Sequence, residues 1–287
     1  MDKRIVLITG GNSGIGKAAA LQFAVLGHTV VIGCRSKQRG SAALADIKAQ
    51  TGSDDAHLMV VDMSLKASIR QFAAAFKKKF GRLDVLIHNA ATFDISQKQP
   101  IKTEEGVESI WATNHIGPVL LTECLMDVLK KSDAARILTV ASKGLVVKKG
   151  VRVDMNDPEF ENRRFSVQNA YYQSKRAQVM YTYWLAGQLG GTGLTVNCVR
   201  VTNVQLDISR WPNVSDFMKK IYKLKSRFAI SPEQMAGTYV YLALSSETAG
   251  ETGKYFDENN APVRSIPYTY ERKNIEALMA LTKKYLD

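Results

Sequence analysis

Short, nearly continuous apolar runs alternate along this chain with longer stretches of helical periodicity, and that alternation leaves few folds open. The runs are Arg4–Thr9, Thr29–Cys34, His57–Val61, Val85–His88, Ile137–Ala141, Leu194–Val199 and Lys254–Phe256. Between them, apolar residues recur at helical spacing over Gly14–Leu26, Lys37–Gln50, Lys66–Phe80, Glu104–Lys130, Gln168–Leu189 and Pro232–Leu244, and a last helix is expected over Glu271–Tyr285. β-Branched runs without an alternating polar face suit strands buried on both sides, as in parallel sheets. Right-handed crossovers then place helices on both faces. The expected fold is therefore α/β: one domain over residues 1–287, a doubly wound, seven-stranded parallel sheet. The helix over Glu104–Lys130 is expected to bend near Gly117-Pro118, because proline disrupts a helix interior.

Composition narrows the class of function. Of the 287 residues, 45% are hydrophobic, enough for a sizeable core, yet no run of eighteen apolar residues occurs, so no membrane span is expected. The opening MDKRIVLITGG has no apolar leader before the first strand, which points to a protein without a signal peptide, working in the cytoplasm. Cys34, Cys124 and Cys198 form no CxxC pair and read as reduced thiols in or near the core. His28, His57, His88 and His115 lack metal-ligand spacing, and no metal is expected. The net charge of +12 has two readings, an anionic cofactor, substrate or surface, and a solvated basic face. No nucleic-acid-binding motif accompanies it, so no nucleic-acid partner is expected.

The first strand runs into Thr9-Gly10-Gly11-Asn12-Ser13-Gly14-Ile15-Gly16. Glycines there let the backbone turn sharply beside a pyrophosphate, and the helix that follows aims free N–H groups at it. Gly10, Asn12, Ser13, Gly14, Ile15 and Gly16 are thus candidate cofactor residues. At the end of the second strand stands Arg35, where an acid would suit a ribose hydroxyl and an arginine suits a 2′-phosphate, so NADP(H) is favoured over NAD(H). Asp62, followed by Met63, ends the third strand in position to accept a hydrogen bond from an adenine amine, or to cap the next helix, for which Ser64 is the better candidate. Asn89-Ala90 ends the fourth strand. The small residue allows a cofactor to come close, and Asn89 is read first as a tie between neighbouring strands.

Tyr171 and Lys175 stand four residues apart on one predicted helix and so face the same way. A phenol ordinarily titrates near pH 10, and lowering that to about 7 takes roughly 4 kcal/mol of preferential phenolate stabilisation. A lysine ammonium and a nearby nicotinamide charge, in a partly dry site, are groups able to supply it.

Taken together, these motifs resemble the short-chain dehydrogenase/reductase family: Thr9-Gly10-x-x-x-Gly14-Ile15-Gly16, Asp62, Asn89-Ala90, Asn114-His115-Ile116-Gly117, Ser142 and Tyr171-x-x-Ser174-Lys175, in the family's order over nearly the whole chain. Within it, the pattern is most similar to the branch of retinol dehydrogenases, WW-domain oxidoreductases and protochlorophyllide reductases. The resemblance implies a Rossmann fold and an oxidoreductase interconverting a carbonyl and an alcohol. It implies Tyr171 as general acid and base, and Lys175 as the group that lowers its pKa and binds the nicotinamide ribose. Ser142 would bond the substrate oxygen, and Asn114 would hold a water in a relay leading to Lys175. Three places depart from the pattern, the mildest being Asn89-Ala90-Ala91, which lacks the usual final glycine. Val201-Thr202 replaces the usual Pro-Gly after the sixth strand, and Leu206 stands where a threonine is expected; Val204 remains able to offer backbone groups to the carboxamide.

Two irregular stretches, 143–168 and 202–227, follow strand ends and are the expected substrate loops, with Trp211-Pro212 a candidate lid element. The expected substrate is a small carbonyl or alcohol molecule, apolar and bulky. The long helices resemble dimer faces of the family and the insertion before Tyr171 resembles its monomeric members, so a homodimer stays open. The competing function is an NADP(H)-binding regulatory or scaffold protein with little catalysis, motivated by Val201-Thr202 and Leu206.

Overall fold

The computed structural model describes residues 2–205 and 229–286. Leu206 and the Trp211-Pro212 pair lie outside the described residues, as does most of the expected loop 202–227. Seven parallel strands form one sheet in the order β3-β2-β1-β4-β5-β6-β7. They are β1 Ile5–Thr9, β2 Thr29–Cys34, β3 Ala56–Val60, β4 Val85–His88, β5 Arg136–Ser142, β6 Thr195–Val201 and β7 Lys254–Phe256. The order reverses between β1 and β4, which pair through Leu7 and Leu86. Helices α1 Gly14–Val25, α2 Lys37–Thr51 and α7 Pro232–Leu244 cover one face. The other carries α3 Lys66–Phe80, α4 (Ser109–Trp111, Ala112–Ile116 and Gly117–Leu129), α6 Val167–Gln188 and α8 Arg272–Leu286, with the short α5 Gly144–Val147 after β5. Successive residues of β1 serve the two cores in turn: Leu7 packs with α3 and α4, while Val6 and Ile8 pack with α1 and α7. All three are fully buried, each contributing about 1.5–3 kcal/mol of transfer free energy. This two-sided burial is why the strands lack a polar face.

Three details differ from expectation. First, α4 starts at Ser109 rather than Glu104. Gly106 takes a left-handed φ of 79°, an isolated bridge joins Lys102 to Glu108, and the Glu108 carboxylate accepts the N–H groups of Ile110 (3.1 Å) and Trp111 (2.8 Å) as the cap. The bend appears as a π turn over Ala112–Ile116, just before Pro118, which has no N–H to close an α turn onto the Asn114 carbonyl. A Cβ on Gly117 would stand 2.2 Å from the Met63 carbonyl oxygen, so only glycine admits this contact.

Second, Ser64 does not cap α3. Its hydroxyl bonds Asp62 Oδ1 at 2.6 Å, and the N–H groups of Lys66 and Ala67 go to the Glu105 carboxylate at 2.8 and 3.1 Å. A carboxylate arriving from another loop satisfies two of the helix's orphan donors.

Third, β6 runs two residues beyond its expected end. Val201 pairs with Ser142, and its carbonyl accepts the Lys143 N–H at 2.8 Å. A β-branched residue extends the strand where Pro-Gly would break it.

The insertion between β5 and α6 is irregular but tied down. Gln173 Nε2 donates to the Pro158 carbonyl (2.7 Å), and the Arg176 guanidinium donates to Val151 and Lys148 carbonyls (both 2.9 Å). Glu159 accepts from Lys102 Nζ, the Glu108 N–H and the Tyr285 hydroxyl, joining the insertion to α4 and α8. No helix of the described residues is long and apolar enough to cross a membrane.

Candidate active site

The glycine turn lies at the carboxyl end of β1, where the strand order reverses. Gly10 adopts φ 68° and Gly14 φ 53°, and nothing stands within 4 Å of a Cβ built on Gly14. Gly16 is packed the other way: a Cβ would meet Asn89 Nδ2 at 2.4 Å. Ser13 is the N-cap of α1 without a side-chain cap bond, and the first turn, which includes Ile15, holds no acid. The helix thus directs uncapped N–H groups and its positive dipole end out of the turn beside Asn12 and Ser13. That cradle fits a pyrophosphate.

Asn89 ties strands together, as the sequence suggests. Its Nδ2 donates to the carbonyls of Thr9 (3.0 Å) and Gly10 (3.3 Å), and its Oδ1 accepts from the Tyr239 hydroxyl (3.2 Å). The Ala90 N–H donates to Thr9 Oγ1 at 3.1 Å. Arg35 stands at the rim with a side chain 72% exposed, its Nε 3.8 Å from Asp62 Oδ2. Asp62 Oδ1 accepts from the N–H (2.9 Å) and hydroxyl of Ser64, forming the turn into α3, while the Met63 side chain is buried in the core.

At the other end, α6 carries Tyr171 and Lys175 up to the end of β5. The Ser142 side chain lies beside the Tyr171 phenol and favours its ionised form. Lys175, 2% exposed, donates from Nζ to the Val140 carbonyl at 2.8 Å and sits 5.7 Å from the Tyr171 ring centroid. Burial pulls the Lys175 ammonium down to about 8, with Cys198 pulling it back up. Burial also pushes the Tyr171 phenol well above its ordinary value, Tyr172 adds to this, and the Ser142 side chain opposes it. The lowering of the phenol expected from Lys175 is therefore not seen: desolvation wins while the ammonium is engaged with Val140.

Asn114 lies in the π turn, 1% exposed. Its side-chain oxygen accepts from the Thr92 N–H (2.8 Å), and its amide donates to the Thr92 carbonyl and Ser174 Oγ (both 3.1 Å). The side chain is thus committed to neighbouring segments, and Pro118 offers no N–H to the main-chain carbonyl. Val204 forms a parallel bridge with Ile230, in which Gln205 N donates to the Ile230 carbonyl and Ile230 N to the Asn203 carbonyl. In that pattern the amide and carbonyl of Val204 itself point away from Ile230.

Phe93 is a site neighbour that the sequence pattern does not single out. Its ring centroid is 4.6 Å from that of Tyr171. The Asn114 clamp on Thr92 fixes the backbone beside it, a contact across 22 residues that no local motif signals. Tyr172 packs against Gly144, where a Cβ would meet the phenol at 2.4 Å.

The comparisons agree with this architecture. The family model described as short chain dehydrogenase matches residues 4–152. Retinol dehydrogenase 13 of Homo sapiens is 34% identical over 88% of this chain and 76% of its own length. Dehydrogenase/reductase SDR family member 13 of Bos taurus is 34% identical over 92% of this chain and 68% of its own. Among solved structures, a short chain dehydrogenase from Escherichia coli CFT073 complexed with NADPH has TM-score 0.69 and 23% identity, over 90% of this chain and 97% of that one. An uncharacterized protein from Mycobacterium Paratuberculosis has TM-score 0.73 and 24% identity, over 99% and 93%. The chain belongs to the short-chain dehydrogenase/reductase family, in its retinol dehydrogenase-like branch. It is accordingly an oxidoreductase of the class that acts on alcohols and carbonyls with a nicotinamide cofactor.

Proposed function

We propose that the chain is an NADPH-dependent oxidoreductase that interconverts a carbonyl and an alcohol, with Tyr171 as the proton-transfer residue. The observation that carries this reading is the meeting of Tyr171, Ser142 and Lys175 at the end of β5, with Lys175 Nζ 5.7 Å from the Tyr171 ring centroid and Ser142 beside the phenol.

Gly10, Asn12, Ser13, Gly14, Ile15 and Gly16 would hold the pyrophosphate on the α1 terminus, and Arg35 the 2′-phosphate. Asp62 and the backbone at Met63 would border the adenine, while Asn89 and Ala90, tied to Thr9, would let the cofactor come close beside the glycine turn. Backbone groups of Val204 would meet the carboxamide, while Tyr171 and Lys175 would bond the ribose. When bound, the nicotinamide supplies or takes up the hydride.

Ser142 bonds the substrate oxygen as charge develops there. Tyr171 gives its proton to that oxygen in reduction and takes one from the alcohol in oxidation. Lys175, with a pKa of about 8, is mostly ammonium at neutral pH and is the cation that would stabilise a phenolate formed during turnover. Asn114 serves the relay through its main-chain carbonyl. Phe93 and Tyr172, with the 143–168 segment, favour an apolar substrate of some bulk.

Tyr171→Phe tests the chemistry. Turnover followed by NADPH absorbance should fall on the order of 10²–10⁴-fold with NADPH affinity nearly unchanged. Near-normal turnover would reject Tyr171 as the proton donor. Tight NADPH binding by the unaltered chain, without turnover on a broad carbonyl panel, would instead favour an NADPH-binding regulatory protein. The strand continuing through Val201 is the observation on that side.

A further inference from the structure

The π turn that carries Asn114 is held from behind by a helix far away in sequence. His115, the next residue, is fully buried and lies 2.8 Å through Nε2 from Thr282 Oγ1 on α8. The Thr282 hydroxyl donates to the Leu278 carbonyl (2.8 Å), so His115 is the donor in that contact, and its Nδ1 faces Gln178 Nε2 on α6 at 3.4 Å. The Trp111 ring covers the imidazole at 4.5 Å between centroids. Burial drives the His115 pKa down to about 3, so the imidazole is neutral and acts here as a fixed strut.

A π turn is a strained interruption of an α-helix and persists only where its surroundings enforce it. Here Pro118 withholds an N–H, Gly117 abuts Met63, Asn114 is clamped to Thr92 and Ser174, and His115 is anchored to α8. The last of these links the turn to the end of the chain. α8 is itself fixed at both ends, by Asn274 Nδ2 donating to the Tyr268 carbonyl (3.0 Å) and Arg70 donating to the Leu286 carbonyl (2.6 Å).

We propose that Thr282 is a positioning residue for the proton relay: through His115 it holds the π turn open and so sets where the Asn114 carbonyl stands relative to Lys175. The proposal rests on the catalytic reading of Asn114, Tyr171 and Lys175 given above. Thr282 touches neither substrate nor cofactor.

The test is Thr282→Val, which keeps the shape of the side chain and removes the acceptor, with Thr282→Ser as the restoring variant and Arg70→Gln as the control that loosens α8 elsewhere. For Thr282→Val, kcat should fall about tenfold while the NADPH KM stays within about twofold, as expected when a relay is displaced without loss of binding. In the alcohol-oxidising direction, the acid limb of kcat should move up by about half a pH unit, because a less stabilised phenolate is a stronger base. Thr282→Ser should return both to the wild-type values, and Arg70→Gln should leave the pH profile in place. Hydrogen exchange at the amides of residues 112–117 should quicken in Thr282→Val and recover in Thr282→Ser, a readout independent of any substrate. An unmoved pH profile in Thr282→Val, or unmoved exchange, would overturn the proposal. So would serine failing to restore them, since that would make the effect one of packing alone. If the unaltered chain shows no turnover at all, it is the catalytic reading that fails, and the exchange measurement still decides whether α8 holds the turn.

Discussion

The two ends of the candidate site are built on opposite terms. At the glycine turn, the backbone N–H groups at the start of α1 have no side-chain cap, and Arg35 at the rim stands largely in solvent. At the Tyr171 end, Lys175 and Asn114 are buried and each is already hydrogen-bonded to a neighbour. The first end can take an anion with little rearrangement, because helix termini bind negative charge with groups that fold formation leaves open. The second must keep several buried polar groups in one arrangement, and it depends on helices, the insertion and α8 to do so. Recognition at one end is local in sequence; positioning at the other is assembled from the whole chain.

Breaking the buried end should have the largest effect. Lys175→Met should cut turnover by at least about 100-fold, since the phenolate loses its cation. Its stability should move the other way with a defined pH dependence. Burial lowers the Lys175 pKa from 10.5 to about 8, so the folded chain carries the full penalty of a buried charge below pH 8, and that penalty fades as pH rises toward 10.5. The gain in Tm of Lys175→Met over the parent should therefore be greatest below pH 8 and shrink above it; a gain that grew with pH would refute the assignment.

Next comes the close contact of the π turn with the chain just past the end of β3. Gly117→Ala forces a methyl into the Met63 carbonyl and should cost about 1–3 kcal/mol, read from the urea midpoint. No loss of stability would mean that the turn yields easily and is not a constraint.

The smallest effect belongs to the open end. Arg35→Ala should raise the NADPH KM about tenfold, as for one charge-assisted hydrogen bond to an exposed partner, and leave the NADH KM unchanged. An equal change for both cofactors would remove Arg35 from 2′-phosphate recognition.

This contrast also explains what could be read before the fold was known. Thr29–Cys34, Lys66–Phe80, Val85–His88, Pro232–Leu244 and Lys254–Phe256 have the bounds that periodicity predicts, because burial against a sheet leaves a regular imprint on residue type. The conformation of the glycine turn was legible for the same reason: the glycines that shape it lie within a few residues of one another. Contacts over long separations were not. Glu105 capping α3, the Asn114 clamp that places Phe93, and the anchor between His115 and Thr282 join residues with no common motif. The early end given to β6 has another cause. Val201 continues the strand where the family pattern puts a break, and a pattern says less than the β-branched residue actually present.

The dependence on α8 has a consequence for how the chain becomes active as it is made. The sheet, the glycine turn and both Tyr171 and Lys175 are encoded before residue 257. Thr282, which braces His115, and Tyr285, which bonds Glu159 of the insertion, emerge from the ribosome only afterwards. A nascent chain lacking them is expected to grip the dinucleotide before it can turn over substrate, so that cofactor capture precedes competence during synthesis.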